Sequence, residues 1–309
     1  MAKSKIFAAI IILLLSYKNI SAFSGNSFSD KKDSTATTTD QPASNKAGES
    51  NVTWHQMITN IPTDYATFFK DAVNEKMIPS YVGIAALTGS LMFVDQKGWA
   101  AQHRLFVRSP LDLRTSNFMV NFGNGAYQFA SAAAFAGAGL IFNDETAIRT
   151  GSNIAEAVLA TGVFVQVLKR ITGRQSPAAS SENGGDWLIL PSIKEYQKNQ
   201  PRYYSFPSGH LSTATAVLTV IANNYPDEKW IKPVGYPLLG LLGFSLVNKG
   251  MHWYSDLPLA YFLGYTFGNI VAPVKTHKAN GIDNEEQSSL RIFPSVGLND
   301  MQFHLLFTF

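Results

Sequence analysis

Apolar and polar positions divide the chain into four stretches. Ile6–Leu15 is an unbroken apolar run preceded by Lys3 and Lys5 and followed by Ile20-Ser21-Ala22. A basic start, a short apolar run and a small residue behind it read as an export signal, residues 1–22, cut near Ala22. The run is shorter than the roughly 20 residues of a spanning helix. Residues 23–60 are rich in Ser, Thr, Asp, Asn and Lys and read as a disordered linker. In 61–275 the period becomes helical. Thr63–Met77 sets Tyr65, Phe68, Phe69, Ala72 and Val73 on one stripe, with Thr63 as the candidate cap and Pro62 ending the coil before it. Apolar segments follow at Tyr81–Val94, Tyr127–Phe142, Ile154–Leu168, Leu211–Ala222, Val234–Val247 and Leu257–Val274. Many are rich in Gly and Ala, which lets helices approach closely. In the tail, 276–309, Leu290–Val296 and Gln302–Phe309 predict a short hairpin around Gly297-Leu298-Asn299-Asp300. The fold class expected is all-α, a helical bundle with a C-terminal β-hairpin tail.

Composition narrows the partners. Of 309 residues 46% are apolar and only 15% charged, which suits long packed or lipid-contacting helices. A net charge of +3 with scattered Lys and Arg gives no groove for nucleic acid. The lack of cysteine excludes disulfides, thiolate metal sites and a thiol nucleophile.

Three places carry chemistry. Lys169-Arg170-Ile171-Thr172-Gly173-Arg174-Gln175-Ser176-Pro177 ends the Ile154–Leu168 segment. Cations there also suit a helix C-terminus on dipole grounds alone. Pro207-Ser208-Gly209-His210 breaks the chain where a new apolar helix begins, and free amides at such a start make an anion site. Ser208 reads equally well as a plain helix cap. His210 stands where it can give a proton to a bound oxyanion. His252 and Asp256 share a face if their stretch is helical, a spacing that serves an oriented nucleophilic imidazole or a structural pair.

Taken in order, these residues resemble the type-2 phosphatidic acid phosphatase and vanadium haloperoxidase superfamily. Its motifs are Lys-x6-Arg-Pro, Pro-Ser-Gly-His and Ser-Arg-x5-His-x3-Asp. Lys169 and Pro177 match the first, Pro207 to His210 the second, and Ser245, His252 and Asp256 the third. The first-motif Arg falls on Ser176 and the third-motif Arg on Leu246. The resemblance implies a helical bundle of this superfamily's kind and a phosphatase with no cofactor or metal. It acts on a phosphate monoester, lipid phosphate or pyrophosphate. His252 attacks phosphorus, Asp256 orients it, and His210 protonates the leaving group. Lys169, Ser208 and the Gly209 amide hold the phosphoryl oxygens, with Arg174 or Lys249 standing in for the lost arginines. Two other readings stay open: a degenerate-site structural envelope protein, and a vanadium-dependent haloperoxidase. His55, His103, His277 and His304 fall outside the motifs and read as surface or packing residues. The expected location is the periplasm. Superfamily members embedded in membranes carry the first motif at the outer face, and the two segments before Ile154–Leu168 give the wrong parity for that. Leu257–Val274 and the low charge keep membrane contact open.

Overall fold

The computed structural model describes residues 56–106, 110–180, 184–274, 289–296 and 301–308. The expected signal segment and nearly all of the expected linker lie outside them. The chain divides into two units, Met1–Val274 and Lys275–Phe309.

The first unit is helical. After a single turn, α1 (Gln56–Thr59), come α2 (Ile61–Ala72), α3 (Ile78–Met92), α4 (Asp95–Phe106), α5 (Pro110–Phe122), α6 (Gly125–Phe142) and α7 (Glu145–Thr172). A short α8 (Ile193–Lys198) precedes α9 (Gly209–Asn224), α10 (Ile231–Asn248) and α11 (Leu257–Val271). Pro62 lies inside the first turn of α2 rather than before it. The first helical positions carry N–H groups without intrahelical partners, so proline loses nothing there. Thr63 is therefore not the cap. The apolar pattern passed over α4 and α5, whose sequences mix charged and apolar residues. Among the described residues α6 is long and apolar enough to cross a membrane, as is the bent pair Glu75–Met92 with Asp95–Phe106.

Local chemistry fixes the helix that carries the first motif. Asp144 caps α7 by accepting the Ala147 amide at 2.9 Å. Gly173 ends it with φ 53°, its amide bonded to the Lys169 carbonyl. A Cβ on Gly173 would lie 1.9 Å from the Leu188 carbonyl oxygen, so the chain needs glycine twice over there.

Two apolar clusters set the frame. One joins Ala132, Phe135 and Ala138 of α6 to Ile154, Ala157 and Val158 of α7 and Ala216 and Val220 of α9. The other gathers Met119 of α5, Leu211 and Ala214 of α9, Leu239, Leu242 and Leu246 of α10, and Ala260 of α11. Both clusters grip α9, the helix that opens with Ser208-Gly209-His210. Each fully buried leucine contributes about 1.5–3 kcal/mol to that grip.

The second unit contains an antiparallel hairpin, β1 (Ser289–Val296) paired with β2 (Met301–Thr308), in a register running from Ser289 opposite Thr308 to Val296 opposite Met301.

Candidate active site

Lys169 stands in the last turn of α7 and is buried. Its Nζ lies 5.1 Å from the centre of the Tyr204 ring. It also lies 3.5 Å from where a Cβ on Gly209 would sit. A side chain at 209 would fill the space between this cation and the start of α9. Burial pulls the Lys169 amine down to about 8, partly opposed by the Asp256 charge.

Ser208 caps α9, its Oγ accepting from the Leu211 amide at 3.4 Å, while its own amide donates to the Asp256 carbonyl at 3.2 Å. Gly209 and His210 open the helix, where amides have no intrahelical acceptor. The His210 ring lies 6.4 Å from the His252 ring. Burial, then the neighbouring His252 and Lys169, hold His210 down to about 3, so it is neutral near pH 7.

His252 is fully enclosed. It precedes a single 3-10 turn, Tyr254–Asp256, and does not sit on an α-helix with Asp256 as the sequence reading required. The two side chains still meet, with Nδ1 3.7 Å from Asp256 Oδ2. The hydrogen bond that orients the ring goes elsewhere: His252 Nδ1 is 2.7 Å from the Ser205 carbonyl oxygen. A carbonyl can only accept, so Nδ1 carries the proton and Nε2 keeps its lone pair. Nε2 is buried and has no hydrogen-bond partner. Burial lowers the pKa of His252, which favours that neutral tautomer.

Asp256 is held by three hydrogen bonds. Oδ2 accepts from Ser205 Oγ at 2.6 Å and from the Trp253 amide at 2.7 Å. Oδ1 accepts from Arg174 Nη1 at 2.6 Å. Burial alone would raise its carboxyl pKa, but Arg174, His252 and Ser205 together hold it below the usual range. Asp256 thus acts on His252 through Ser205, whose hydroxyl it fixes and whose carbonyl fixes the ring.

Arg174 is the correction to the sequence reading. It does not extend a free guanidinium toward Lys169 and Gly209. Besides Asp256, it reaches Ser255 Oγ at 2.6 Å, Asp95 Oδ2 at 2.8 Å and the Gly184 carbonyl at 2.8 Å, between the rings of Trp187 and Trp253. Those bonds commit the donors a phosphate would need. The positions of the two absent motif arginines are both closed: Ser176 is 1% exposed and Leu246 0%, the latter inside the α10 core. Lys249 caps the end of α10 and does not line the cleft.

Sequence reasoning missed Asp95, Ser205, Tyr204 and Ser255. Asp95 at the start of α4 reads as an ordinary first-turn carboxylate, and nothing in its neighbours marks a partner 79 residues away. Ser205 acts through its backbone carbonyl as much as its hydroxyl, and a backbone role leaves no trace in residue type.

A cleft of about 1030 Å³ opens on Lys169, Arg170, Tyr204, Gly209, His210 and Met251. His252 lies against this lining through Met251 and the rings of Tyr204 and His210, 6.1 Å and 6.4 Å away.

Residues 151–278 match the family model of the PAP2 superfamily. Among solved structures the chain is similar to that of Aquifex aeolicus LpxE, at 21% identity over 58% of this chain and 94% of the other, with a TM-score of 0.43. It is also similar to the transmembrane PAP2 type phosphatidylglycerolphosphate phosphatase from Bacillus subtilis, at 17% identity over 70% and 94%, with a TM-score of 0.38. The matched segment holds Lys169, the Pro207–His210 turn, His252 and Asp256.

Proposed function

We propose that the chain is a phosphatase that hydrolyses a phosphate monoester, lipid phosphate or pyrophosphate through a phosphohistidine on His252. One observation carries this reading. The His252 ring is pinned at Nδ1 by the Ser205 carbonyl while its enclosed Nε2 has no partner, close to a buried lysine and a helix start. An imidazole kept as a bare acceptor in a cationic surrounding is poised to attack an electrophilic phosphorus.

The steps follow from the donors at hand. Lys169, Ser208 and the opening amides of α9 hold the non-bridging oxygens. Tyr204 lies over Lys169 and against the His252 ring, so it borders the place the phosphoryl group takes. The Nε2 lone pair forms the N–P bond as the bond from phosphorus to the leaving oxygen breaks. That oxygen takes its proton from His210. His210 is neutral in the empty site, and an incoming dianion offsets the positive charge of Lys169 that helps depress its pKa, so substrate and proton arrive together. In the second half His210 removes a proton from water, the water oxygen bonds phosphorus, the N–P bond breaks and phosphate leaves. Stabilisation by fixed donors suits phosphoryl transfer, where charge spreads over the equatorial oxygens.

The test is an acid-labile, base-stable phosphoenzyme from radiolabelled substrate in a rapid quench. Wild type should label and His252→Ala should neither label nor turn over. His210→Ala should label with good leaving groups and slow most with poor ones. Wild-type turnover by His252→Ala would sink the mechanism. A degenerate scaffold is the second reading, favoured by the closed positions of Ser176 and Leu246. It expects no turnover of any ester by a folded protein. We infer an envelope location, in contact with membrane through apolar side chains exposed on α6 such as Leu140 and Ile141.

A further inference from the structure

Lys169 is a buried cation without a carboxylate of its own. Among the described residues no Asp or Glu lies within ion-pair distance of its Nζ, and the carboxylate that favours its charge, Asp256, is already bound to Arg174. A ring lies against the ammonium instead. Nζ sits over the face of Tyr204, 5.1 Å from its centre, inside the roughly 6 Å within which an aromatic face attracts a cation. The backbone beside Tyr204 is tied to the end of α7, the helix that carries Lys169. The Ser205 amide donates to the Arg174 carbonyl at 3.0 Å, and Thr172 Oγ1 donates to the Phe206 carbonyl at 2.8 Å. On the other side Tyr203 is buried, and its hydroxyl donates to Glu195 Oε2 at 2.8 Å. The bonds that end α7 therefore also set the ring over the lysine, and both side chains line the cleft.

Burial disfavours an ammonium, and a ring face returns part of what is lost. Burial also raises the Tyr204 phenol above its ordinary value, so where Lys169 titrates, near 8, Tyr204 is neutral and acts by its face rather than as a phenolate. We propose that Tyr204 is a positioning residue for Lys169: its ring holds the ammonium charged and beside Gly209 in the empty site, and so sets the alkaline limit of anion binding. A substrate then meets a cation already in place, and its own negative charge adds to the hold of the ring. The consequence for turnover rests on reading the cleft as a phosphatase site. The charge on Lys169 does not, and it is measurable without substrate.

The experiment labels the lysines of the full chain with an NMR-visible carbon isotope and follows the Lys169 Cε signal against pH. Lys169→Arg identifies that signal by removing it. Wild type and Tyr204→Phe should titrate together near 8. Tyr204→Leu should titrate about one unit lower, a loss of about tenfold in proton affinity. Fluorine on the ring of Tyr204→Phe keeps its shape and weakens its face, so that variant should fall between the two even where leucine disturbs the fold. In turnover the alkaline limb of kcat/KM should move with the titration, lower in Tyr204→Leu and unchanged in Tyr204→Phe. A ring that only fills space would lower kcat/KM at every pH and leave the limb where it is. The proposal is overturned if Tyr204→Leu titrates with wild type, if fluorination moves nothing, or if Tyr204→Phe falls as far as Tyr204→Leu. If the titrations behave as expected while wild type turns over no ester, the phosphatase reading fails and the pairing of ring and ammonium stands.

Discussion

Arg174 Nη1 lies 2.6 Å from Asp256 Oδ1, and the other arm of the same guanidinium lies 2.8 Å from Asp95 Oδ2. One buried cation therefore bridges two buried carboxylates, one from the start of α4 and one from the turn after His252. Ser255 joins the bridge from both sides, with its amide on Asp95 Oδ1 at 3.0 Å and its hydroxyl on Oδ2 at 2.5 Å. From Asp256 the chain of bonds continues through Ser205 to Nδ1 of His252. An arginine two residues before the motif position thus holds the frame around His252, and its donors are committed there.

Removing Arg174 separates framing from binding. Arg174→Ala leaves two enclosed carboxylates without their cation, a loss of about 3–5 kcal/mol for a broken buried pair. A large fall in Tm and loss of turnover should come together. Lysine has one ammonium where four acceptors wait, so Arg174→Lys should rescue little. Asp95→Asn is gentler. Asp95 bonds Arg174 and Ser255, so kcat should fall with KM nearly unchanged and the fold retained. A raised KM with wild-type kcat in either variant would return Arg174 to the phosphate.

Restoring the motif arginines should fail. Leu246 is packed among Leu211, Leu239 and Leu242, and Ser176 is enclosed with its amide bonded to the Pro201 carbonyl. A guanidinium at either place is an unpaired buried charge, with a penalty of several kcal/mol. Leu246→Arg, alone or with Ser176→Arg, should lower Tm sharply and yield no gain in turnover. A folded double variant with faster turnover would mean that these walls open toward the cleft.

The parts of this site legible in the sequence are those with local causes. The turn at Pro207-Ser208-Gly209 and the stop at Gly173 follow from residue type, and the apolar periods found α3, α6, α7, α9, α10 and α11, although Ile154–Leu168 begins nine residues after α7 does and Leu257–Val274 runs three residues past the end of α11. The long-range pairings were not legible. Arg174 near Pro177 and Asp95 near an apolar run each have an ordinary helix-end explanation, and only packing brings them to Asp256. The His252–Asp256 spacing suggested a direct pair on a helix, whereas the 3-10 turn gives Asp256 better donors at Ser205 and the Trp253 amide.

The seating of α9 depends on how closely α11 approaches it. A Cβ on Gly264 would lie 2.1 Å from the Ser212 carbonyl oxygen and 2.7 Å from Thr215 Cβ. Backbone cannot yield to that contact, so Gly264→Ala must push α11 off the helix that begins at Ser208-Gly209-His210. Stability and activity should both fall. Gly137→Ala is the control: it too is helical, but a Cβ there meets nothing within 4 Å. It should be neutral or add roughly 0.5–1 kcal/mol from helix preference. Thermal unfolding and turnover of both variants decide it, and two similar outcomes would discard the packing argument.

The pH dependence follows from Lys169 and His210, with opposite signs for activity and stability. Lys169 has its amine at about 8 in the folded protein against 10.5 ordinarily. Its charge, and with it oxyanion binding, should fade as pH rises through 8. Because kcat/KM reports the free enzyme, its alkaline limb should bend near that value. Between about 8 and 10.5 the unfolded chain holds the extra proton, so on this group's account stability rises with pH while activity falls. His210 behaves differently on the acid side. Its folded value of about 3 lies below the ordinary 6.5, so the unfolded state takes up the proton first as pH drops. Stability from keeping that ring neutral is complete above 6.5 and is lost as pH falls toward 3. Asp256, held below the usual carboxylate range, adds its own loss as pH falls below about 3.8. Measuring kcat/KM and Tm on the same samples from about pH 3 to 10 separates these effects. Lys169→Arg keeps its charge throughout, so in a folded variant the alkaline limb should vanish. Loss of activity above pH 8 that coincides with unfolding, or a limb that survives in Lys169→Arg, would remove Lys169 from the anion site.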